Sequence, residues 1–293
     1  MAPLREARRT PASRPGRMRE YRLTLNGART RAIEVEGSGR PVLLLHGFCD
    51  SADTWRNVLE RLREQGRAAI AYDMPGFGFS QPVRFPIPLL DQQVAFAAAA
   101  IGRAAEQSGE DVIVAGNSLG GWTTLRVAER EELPIAGIVP VAPAGITMSP
   151  WFLRLDRMPG IGQLLRIPGP VPEVVTRAVV ARTVRRIGFG DATKVDERFV
   201  RSFSLHNRNR RWAFARLEAA SGCAGELDAP FDPAKVRVPS VVVWGTRDVL
   251  CLIKGAEPLA ATLGAKLIVV EGCGHLPQVE EPQSVLDAIE HLS

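Results

Sequence analysis

Short apolar runs alternate along the chain with longer segments in which apolar residues recur at helical spacing. Residues 22–25 and 31–35 flank Asn26-Gly27 and predict an antiparallel hairpin, because two-residue hairpin turns favour an Asn-Gly pair. Six further runs predict strands, at residues 42–45, 68–72, 112–115, 137–142, 241–244 and 267–270. Helices are predicted over residues 54–65, with Asp53 as the N-terminal cap, over residues 89–108, and directly after Ser118. This alternation predicts an α/β fold with a mostly parallel eight-stranded sheet and helices on both faces.

The alternation stops between residues 145 and 233, where apolar residues such as Val174, Ala178 and Ala181 fall at helical spacing. We therefore expect a helical insertion at residues 145–233 and an α/β core at residues 21–144 and 234–293. Residues 1–20 are expected to form a basic, disordered tail. Translation from Met18 is an alternative to translation from Met1, because Met18 leads directly into the first strand.

Composition limits the class of protein. The chain has 293 residues, 45% hydrophobic and 24% charged, as is ordinary for a soluble globular protein. Its longest apolar run, residues 94–101, is too short for a membrane span. The net charge is +5, and the basic excess lies in the tail and in residues 145–233, which argues against nucleic acid as a partner. No oligomeric state can be inferred.

The four cysteines show no CxxC spacing, which argues against a zinc site or a redox dithiol. The absence of an apolar segment after the basic tail favours a cytoplasmic location with reduced thiols. Cys49, Cys251 and Cys273 are expected to be buried small side chains. An alternative is that one of these thiols lies close enough to a reactive site for alkylation to block it.

Residues 116–121 read Gly-Asn-Ser-Leu-Gly-Gly and lie between a predicted strand and a predicted helix. A G-x-S-x-G motif in this context is typical of a nucleophile elbow, in which a strained turn exposes the serine hydroxyl. The alternative is a glycine-rich turn whose serine caps the helix. Ser118 is therefore a candidate nucleophile.

Three further patterns follow predicted strands in chain order: His46-Gly47-Phe48 after residues 42–45, Gly245-Thr246-Arg247-Asp248 after residues 241–244, and Gly274-His275 after residues 267–270. Together with the motif at Ser118, they resemble the serine-nucleophile branch of the α/β-hydrolase family over about residues 22–292. The resemblance implies a triad of Ser118, Asp248 and His275 in the family's chain order. It also implies that residues 145–233 form a helical cap, or lid, over the site.

In the implied mechanism Ser118 attacks a carbonyl carbon, His275 takes its proton and Asp248 orients the imidazole. The resemblance assigns the oxyanion hole to the backbone N–H groups of Phe48 and Leu119. No metal or cofactor is required. Side chains expected to contact the substrate are His46, Asn117, His206, Arg208, Arg210, Trp212 and Leu276. The arginines near residue 210 lead to the hypothesis of an anionic, carboxylate-bearing substrate.

A serine at the elbow argues against the haloalkane dehalogenases and epoxide hydrolases of this fold, which use an aspartate nucleophile. The first expectation is a carboxylesterase-like hydrolase of an ester, lactone or thioester. Hydrolysis of a C–C bond, of the meta-cleavage-product type, and cofactor-free perhydrolysis are alternatives on the same triad. Against C–C hydrolysis, Leu276 stands where those hydrolases usually carry tryptophan, and residues 46–50 lack their Gly-Pro-Gly extension. A slow-turnover or non-catalytic ligand sensor is the alternative outside enzymes.

Overall fold

The computed structural model describes residues 16–81, 87–150, 172–208, 226–227 and 231–293. Within these residues, eight strands form one sheet in the order β1-β2-β4-β3-β5-β6-β7-β8. The strands are β1 Met18–Leu25, β2 Ala28–Val35, β3 Ser38–Leu45, β4 Arg67–Tyr72, β5 Val112–Asn117, β6 Ile135–Val141, β7 Val241–Gly245 and β8 Lys266–Val270.

Strand β2 runs antiparallel to both of its neighbours, whereas the other neighbouring pairs in the sheet are parallel. The predicted hairpin joins β1 to β2, and Asn26 and Gly27 have φ values of 48° and 71°, as its tight turn requires. Strand β1 begins at Met18, so it starts inside the segment predicted as a tail. The predicted mostly parallel eight-stranded sheet is confirmed.

Helices cover both faces of the sheet, as predicted. The described α-helices are α1 Arg56–Glu64, α2 Leu89–Ser108, α3 Leu119–Ala128, α4 Glu173–Gly188, α5 Glu197–His206, α6 Ala256–Leu263, α7 Pro277–Glu280 and α8 Pro282–His291. Short 3-10 turns lie at Ala52–Trp55, Ala192–Lys194, Pro233–Lys235 and Ile253–Gly255. None of these helices combines the length and the apolar character that a membrane crossing requires.

Consecutive residues of β3 supply two apolar cores, one on each face of the sheet. Leu43 and Leu45 pack in the cluster that includes α2, α3 and α6, whereas Val42 and Leu44 pack with α1 and α8. A strand buried on both faces has no polar side, which explains its uninterrupted apolar run.

The prediction that Asp53 caps the helix after β3 is wrong. Asp53 lies inside the 3-10 turn, and α1 begins at Arg56 without a side-chain cap. The Asp53 carboxylate instead accepts from Arg31 at 3.0 Å and from Arg56 Nε at 2.7 Å. Hydrogen bonds from the two guanidinium groups are charge-assisted on both sides and are therefore stronger than a bond from a backbone N–H. The Asp53 carboxylate accordingly bonds to the arginines and does not cap α1.

Pro140 occupies a position in β6 where a backbone N–H would be expected to bond to β7. The N–H groups of Ile138 and Ala142, two residues to either side, donate across this edge to Pro239 and Val243 at 3.0 and 2.9 Å. The nitrogen of Pro140 faces the same way, and proline has no hydrogen to donate. Pairing of β6 with β7 is accordingly reduced to one register pair and an isolated bridge.

Helices α4 and α5 lie between β6 and β7 in the chain, within the segment predicted to be a helical insertion. They pack against each other and against the residues after His275, in a third apolar cluster that includes Val184, Phe199, Leu276 and Val279. This cluster brings the inserted helices to the edge of the sheet where the candidate site residues lie.

Candidate active site

The chain turns sharply at Ser118, between β5 and α3. Ser118 has φ 55° and ψ −114°, a backbone conformation that residues with a side chain rarely adopt. Its N–H donates to Val141 at 3.0 Å, and its carbonyl accepts from Trp122 and Ala144 at 2.9 and 3.0 Å. The side chain makes no capping hydrogen bond to α3 and is partly exposed, so the alternative of a helix-capping serine is wrong.

The glycines around Ser118 are required by close backbone contacts. A Cβ on Gly116 would lie 2.2 Å from the carbonyl oxygen of Gly120, and a Cβ on Gly120 would lie 2.1 Å from that of Leu45. Both distances are far below van der Waals contact. The spacing of the G-x-S-x-G motif therefore follows from the packing of the turn against β3 and α3.

His275 and Asp248 form a buried hydrogen-bonded pair. Nδ1 of His275 lies 2.7 Å from Oδ2 of Asp248, and Oδ1 of Asp248 accepts from the N–H groups of Leu250 and Cys251 at 2.8 and 2.9 Å. Because an ionised carboxylate can only accept, the His275 proton lies on Nδ1. The second ring nitrogen, Nε2, is then the lone-pair nitrogen that can receive a proton.

Ser118, Asp248 and His275 follow β5, β7 and β8, whose carboxyl ends share one edge of the sheet. The Asn117 side chain donates to the carbonyl of His275 at 3.0 Å, which joins the turn at Ser118 to the histidine. A Cβ on Gly47 would lie 3.2 Å from that of Ser118. The structure thus brings the loop after β3 and the three predicted triad residues to one place.

Residues 46–51, termed the His46 loop, are held by an uncharged histidine. The Nε2 atom of His46 accepts the N–H of Met74 at 2.9 Å, so Nδ1 carries the hydrogen and donates to the Gly47 carbonyl at 2.7 Å. His46 is fully buried, and burial lowers its pKa to about 4. At neutral pH it therefore stays in the one tautomer that fits both hydrogen bonds.

This arrangement directs the Phe48 N–H. The Gly47 carbonyl also accepts from the Asp50 N–H at 3.3 Å, and in a trans peptide the N–H points opposite to the carbonyl. Leu119 is the first residue of α3, so its N–H has no acceptor within the helix. In the described part of the chain, neither the Phe48 nor the Leu119 N–H has a hydrogen-bond partner. Both are free to bind an oxygen atom of a ligand.

Comparison with known proteins agrees with this arrangement of strands and loops. The sequence profile described as the alpha/beta hydrolase family matches residues 42–288, which is most of the chain. The chain belongs to the alpha/beta hydrolase family.

Curated relatives of this hydrolase include enzymes of two reaction types. It is 26% identical, over 89% of its length and 98% of the relative's, to a pimeloyl-[acyl-carrier protein] methyl ester esterase of Aeromonas hydrophila. It is also 26% identical, over 89% and 86%, to a 2-hydroxy-6-oxo-6-(2'-aminophenyl)hexa-2,4-dienoic acid hydrolase of Metapseudomonas resinovorans. The solved structure of the 2-hydroxy-6-oxo-6-phenylhexa-2,4-dienoate hydrolase of Rhodococcus sp. strain RHA1 superposes with a TM-score of 0.74, at 21% identity, covering 94% of this chain and 99% of that one. At this identity the superposition shows the shared fold.

Three of the residues predicted to contact substrate instead have contacts within the hydrolase fold. His46 is enclosed, with both ring nitrogens bonded to backbone groups. Asn117 is buried, and its amide donates to the carbonyls of Val141 and His275. Leu276 is buried in the cluster with α4 and α5. These side chains hold the site together, and this geometry does not support direct substrate contact by His46 or Asn117.

The remaining predicted contacts, His206, Arg208, Arg210 and Trp212, fall within residues 145–233, the segment predicted to be a helical insertion. The ring of His206 is 4% exposed and lies 3.2 Å from Oδ2 of Asp53. Arg208 is exposed and pairs with Glu173 at 3.4 Å, which is a surface ion pair. Arg210 and Trp212 lie outside the described residues. The hypothesis of a carboxylate-bearing substrate therefore gains nothing from Arg208.

A buried charged cluster, missed by sequence reasoning, contacts the end of the His46 loop, where the Ser51 hydroxyl donates to Asp53 at 3.3 Å. Arg31 donates to both carboxylate oxygens of Asp73, at 2.9 and 3.0 Å, and to Asp53 at 3.0 Å. Burial opposes the charge on Arg31, but the two carboxylates outweigh it and raise its pKa above the usual value. Asp53 in turn accepts from Ser202 Oγ of α5 at 2.7 Å. The only sequence signal was an arginine beside the apolar residues of β2.

The thiols of Cys251 and Cys273 are buried, and burial raises the pKa of both. They are therefore poor targets for alkylation, whereas Cys49 is partly exposed.

Possible ligand atoms of Asp248, Cys251 and His275 lie within 4.8 Å of one another, as a zinc site would require. However, two ligand atoms on one tetrahedral zinc ion lie ~3.3 Å apart. The 2.7 Å distance between His275 Nδ1 and Asp248 Oδ2 is shorter and is that of a direct hydrogen bond.

Proposed function

We propose that the protein is a serine hydrolase that cleaves an ester-type bond in a small molecule through an acyl-enzyme on Ser118. The bond is a carboxylic ester, lactone or thioester. The observation that carries the proposal is the 2.7 Å hydrogen bond from His275 Nδ1 to Asp248. This bond leaves Nε2 available as a base at the sheet edge that carries Ser118, whose side chain is partly exposed.

In the acylation step, the Ser118 oxygen forms a bond to the substrate carbonyl carbon while its proton passes to Nε2 of His275. The carbonyl electron pair moves onto oxygen, which the N–H groups of Phe48 and Leu119 stabilise. Each such donor contributes typically ~3–4 kcal/mol to the stability of the transition state. Asp248 stabilises the imidazolium that forms and keeps the ring oriented.

Collapse of the tetrahedral intermediate breaks the bond to the leaving group, which takes the proton from the His275 imidazolium. Water then attacks the acyl carbon, His275 accepts a proton from this water, and the same two N–H groups stabilise the second oxyanion. Release of the acid regenerates the Ser118 hydroxyl. The sequence of bonds made and broken needs only water beside the substrate.

The helices between β6 and β7 act as a lid that shapes the substrate pocket. Leu276, next to the base, packs with Val184 and Phe199 of these helices, so the lid is continuous with the site.

Hydrolysis of a C–C bond is the second candidate, because the curated relative from Metapseudomonas has the same sequence identity to the chain, 26%, as the esterase. The bond broken would then join the acyl carbon to another carbon, and the departing fragment would keep the electron pair as an enolate or dienolate and take a proton from the His275 imidazolium. The two reactions differ in whether a vinylogous diketone or an ester is turned over.

The test is a screen of p-nitrophenyl and alkyl esters, thioesters, lactones and a vinylogous diketone against four forms of the protein. These are the wild type, Ser118→Ala, His275→Ala, and Ser108→Ala as a matched control whose hydroxyl bonds only to the end of α2 and residue 110. We expect kcat to fall ~10⁴–10⁶-fold in the first two variants and to stay unchanged in the control. Near-wild-type turnover by Ser118→Ala would exclude the acyl-enzyme, and a single burst without turnover in the wild type would favour a sensor.

A further inference from the structure

The end of helix α4 lies directly against the loop that carries His275. Residues 188–191 are termed the α4 strap, and residues 272–276 the His275 loop. The His275 N–H donates to the Gly188 carbonyl at 2.9 Å. A Cβ on Gly190 would lie 2.4 Å from the carbonyl oxygen of Gly272, and a Cβ on Gly274 would lie 2.5 Å from the nitrogen of Gly190. The two main chains therefore touch with no side chain between them.

One buried carboxylate joins the strap to the loop. Glu280 is 6% exposed. Its Oε2 accepts from the N–H groups of Gly274 and Gly190 at 2.9 and 3.1 Å, and its Oε1 accepts from Asp191 at 2.8 Å. The thiol of Cys273 lies 3.6 Å from the same Oε2. Four donors thus converge on one side chain from both segments.

The chemistry of this contact requires a carboxylate. A carboxylate has acceptor sites only, whereas the amide of glutamine would turn an NH₂ group toward one of the N–H donors. A buried N–H without an acceptor costs free energy. The α4 strap and the His275 loop are therefore held at the spacing at which the N–H groups of both segments reach the Glu280 carboxylate.

The strap also contacts the loop of the acid. The Arg247 side chain donates to the Gly190 carbonyl at 3.1 Å, and Arg247 is the neighbour of Asp248. The acid and base loops are therefore both fastened to the end of a lid helix, although they follow different strands of the sheet.

We propose that Glu280 is a positioning residue for His275, which fastens the His275 loop to the α4 strap so that the lid position sets the placement of the base. The inference rests on the role of His275 in the proposed function. Glu280 touches no reacting atom and acts through Gly274. Misplacement of a catalytic group by ~1 Å can cost ~10²-fold in rate, so loss of this contact should reduce turnover without removing any group of the triad.

Two kinds of variant perturb the contact independently. Glu280→Ala removes all acceptors, and Glu280→Gln keeps an oxygen for Gly274 and Gly190 while turning its NH₂ toward Asp191. Gly190→Ala leaves the carboxylate intact and separates the two main chains by steric contact alone. The matched control is Glu281→Gln, which removes the same charge from the next residue, whose partner is Lys194.

The readout is the ratio of kcat for an alkyl ester to kcat for the p-nitrophenyl ester of the same acid. An alkoxide must receive a proton from His275 to leave, whereas p-nitrophenolate leaves without one. A displaced base therefore lowers the alkyl-ester rate further than the p-nitrophenyl rate. A variant that merely unfolds in part lowers both rates equally, so the ratio does not change.

We expect Glu280→Ala and Gly190→Ala to lower kcat for the alkyl ester ~10–100-fold, with a smaller loss for the p-nitrophenyl ester. Glu280→Gln should lie between these variants and the wild type, and Glu281→Gln should match the wild type. Should Glu280→Ala fail to fold, Glu280→Gln and Gly190→Ala carry the test. An unchanged ratio in those two variants, with His275→Ala inactive, would overturn this inference alone. Full activity of His275→Ala would instead overturn the proposed function.

Discussion

The buried carboxyl group of Asp50, behind the candidate oxyanion donor, leads to a prediction about stability. Asp50 is 4% exposed, its Oδ1 accepts from the Ser51 N–H at 2.8 Å, and its side chain also bonds to Thr54. Burial raises the pKa of Asp50 to about 8. The group is therefore protonated in the folded protein at neutral pH. Asparagine has the same shape, keeps the acceptor for Ser51, and replaces the acid O–H by an N–H donor.

The magnitude follows from proton linkage. The folded-state pKa lies above the unfolded value of 3.8, so the folded chain retains a proton that the unfolded chain loses. Stability from Asp50 is fully present below this unfolded value, declines as the pH rises above it and is fully lost once the pH has risen through about 8. Since one pKa unit corresponds to ~1.4 kcal/mol, the loss at pH 7 is on the order of 4 kcal/mol. Asp50→Asn removes this loss, so it should raise the free energy of unfolding by that order.

The assay is urea unfolding followed by tryptophan fluorescence at pH 4, 6 and 8, on the wild type and Asp50→Asn. Asp111→Asn, an exposed aspartate, is the matched control. The difference between Asp50→Asn and the wild type should be near zero at pH 4 and should grow steadily to pH 8. Other titrating groups are common to both proteins and cancel in the difference. A difference that is constant with pH, or largest at pH 4, would refute the reasoning.

Three further predictions concern the same region. Arg31→Met should lower the free energy of unfolding at pH 7 by ~3–5 kcal/mol, because it leaves the fully buried carboxylate of Asp73 without its cation; unchanged stability in urea would contradict this. The folded pKa of His46 is depressed from 6.5 to about 4, so stability from this group is present above pH 6.5 and is lost as the pH falls through about 4, a loss of ~3 kcal/mol. In urea unfolding at pH 7 and 4.5, the free energy of unfolding should fall less between the two pH values for His46→Gln than for the wild type. An equal fall in both proteins would contradict this prediction. Phe48→Pro should slow fluorophosphonate labelling of Ser118 by ~10²–10³-fold relative to Phe48→Leu, which keeps the N–H; equal labelling would place the second donor elsewhere.

The sheet could be predicted from sequence because its signals are local. Residues 42–45 are buried on both faces of the sheet and therefore form a continuous apolar run. The hairpin turn between β1 and β2 needs two residues with positive φ, and Asn26-Gly27 is a pair that adopts this conformation readily. The turn at Ser118 is likewise encoded within six residues, since the glycines are needed where the main chain meets Leu45 and Gly120.

The contacts that position the site could not be predicted, because they join residues far apart in the chain. Asp53 was expected to cap a helix from its neighbours alone, and Arg31, 22 positions earlier, takes its carboxylate. Glu280 binds the N–H groups of Gly190 and Asp191, about 90 positions away, and reads in sequence as one more acidic residue of a short helix. The expectation that His46 contacts substrate was made without its second partner, the Met74 N–H, which lies 28 positions further along the chain.

The same contacts suggest why the lid and the base should respond together. At Gly190 and Gly274 the lid meets the His275 loop main chain against main chain, with no flexible side chain to absorb a displacement. A shift of helix α4 must therefore be taken up by the His275 loop or by loss of the Glu280 hydrogen bonds. A substrate that holds the lid in place would stabilise the geometry in which His275 is aligned, and binding energy far from the reacting bond would then raise kcat as well as lower KM. Substrates that share a leaving group but differ in the part under the lid should accordingly differ in kcat, and this dependence should weaken in Gly190→Ala, where the added methyl group pushes the α4 strap away from the His275 loop.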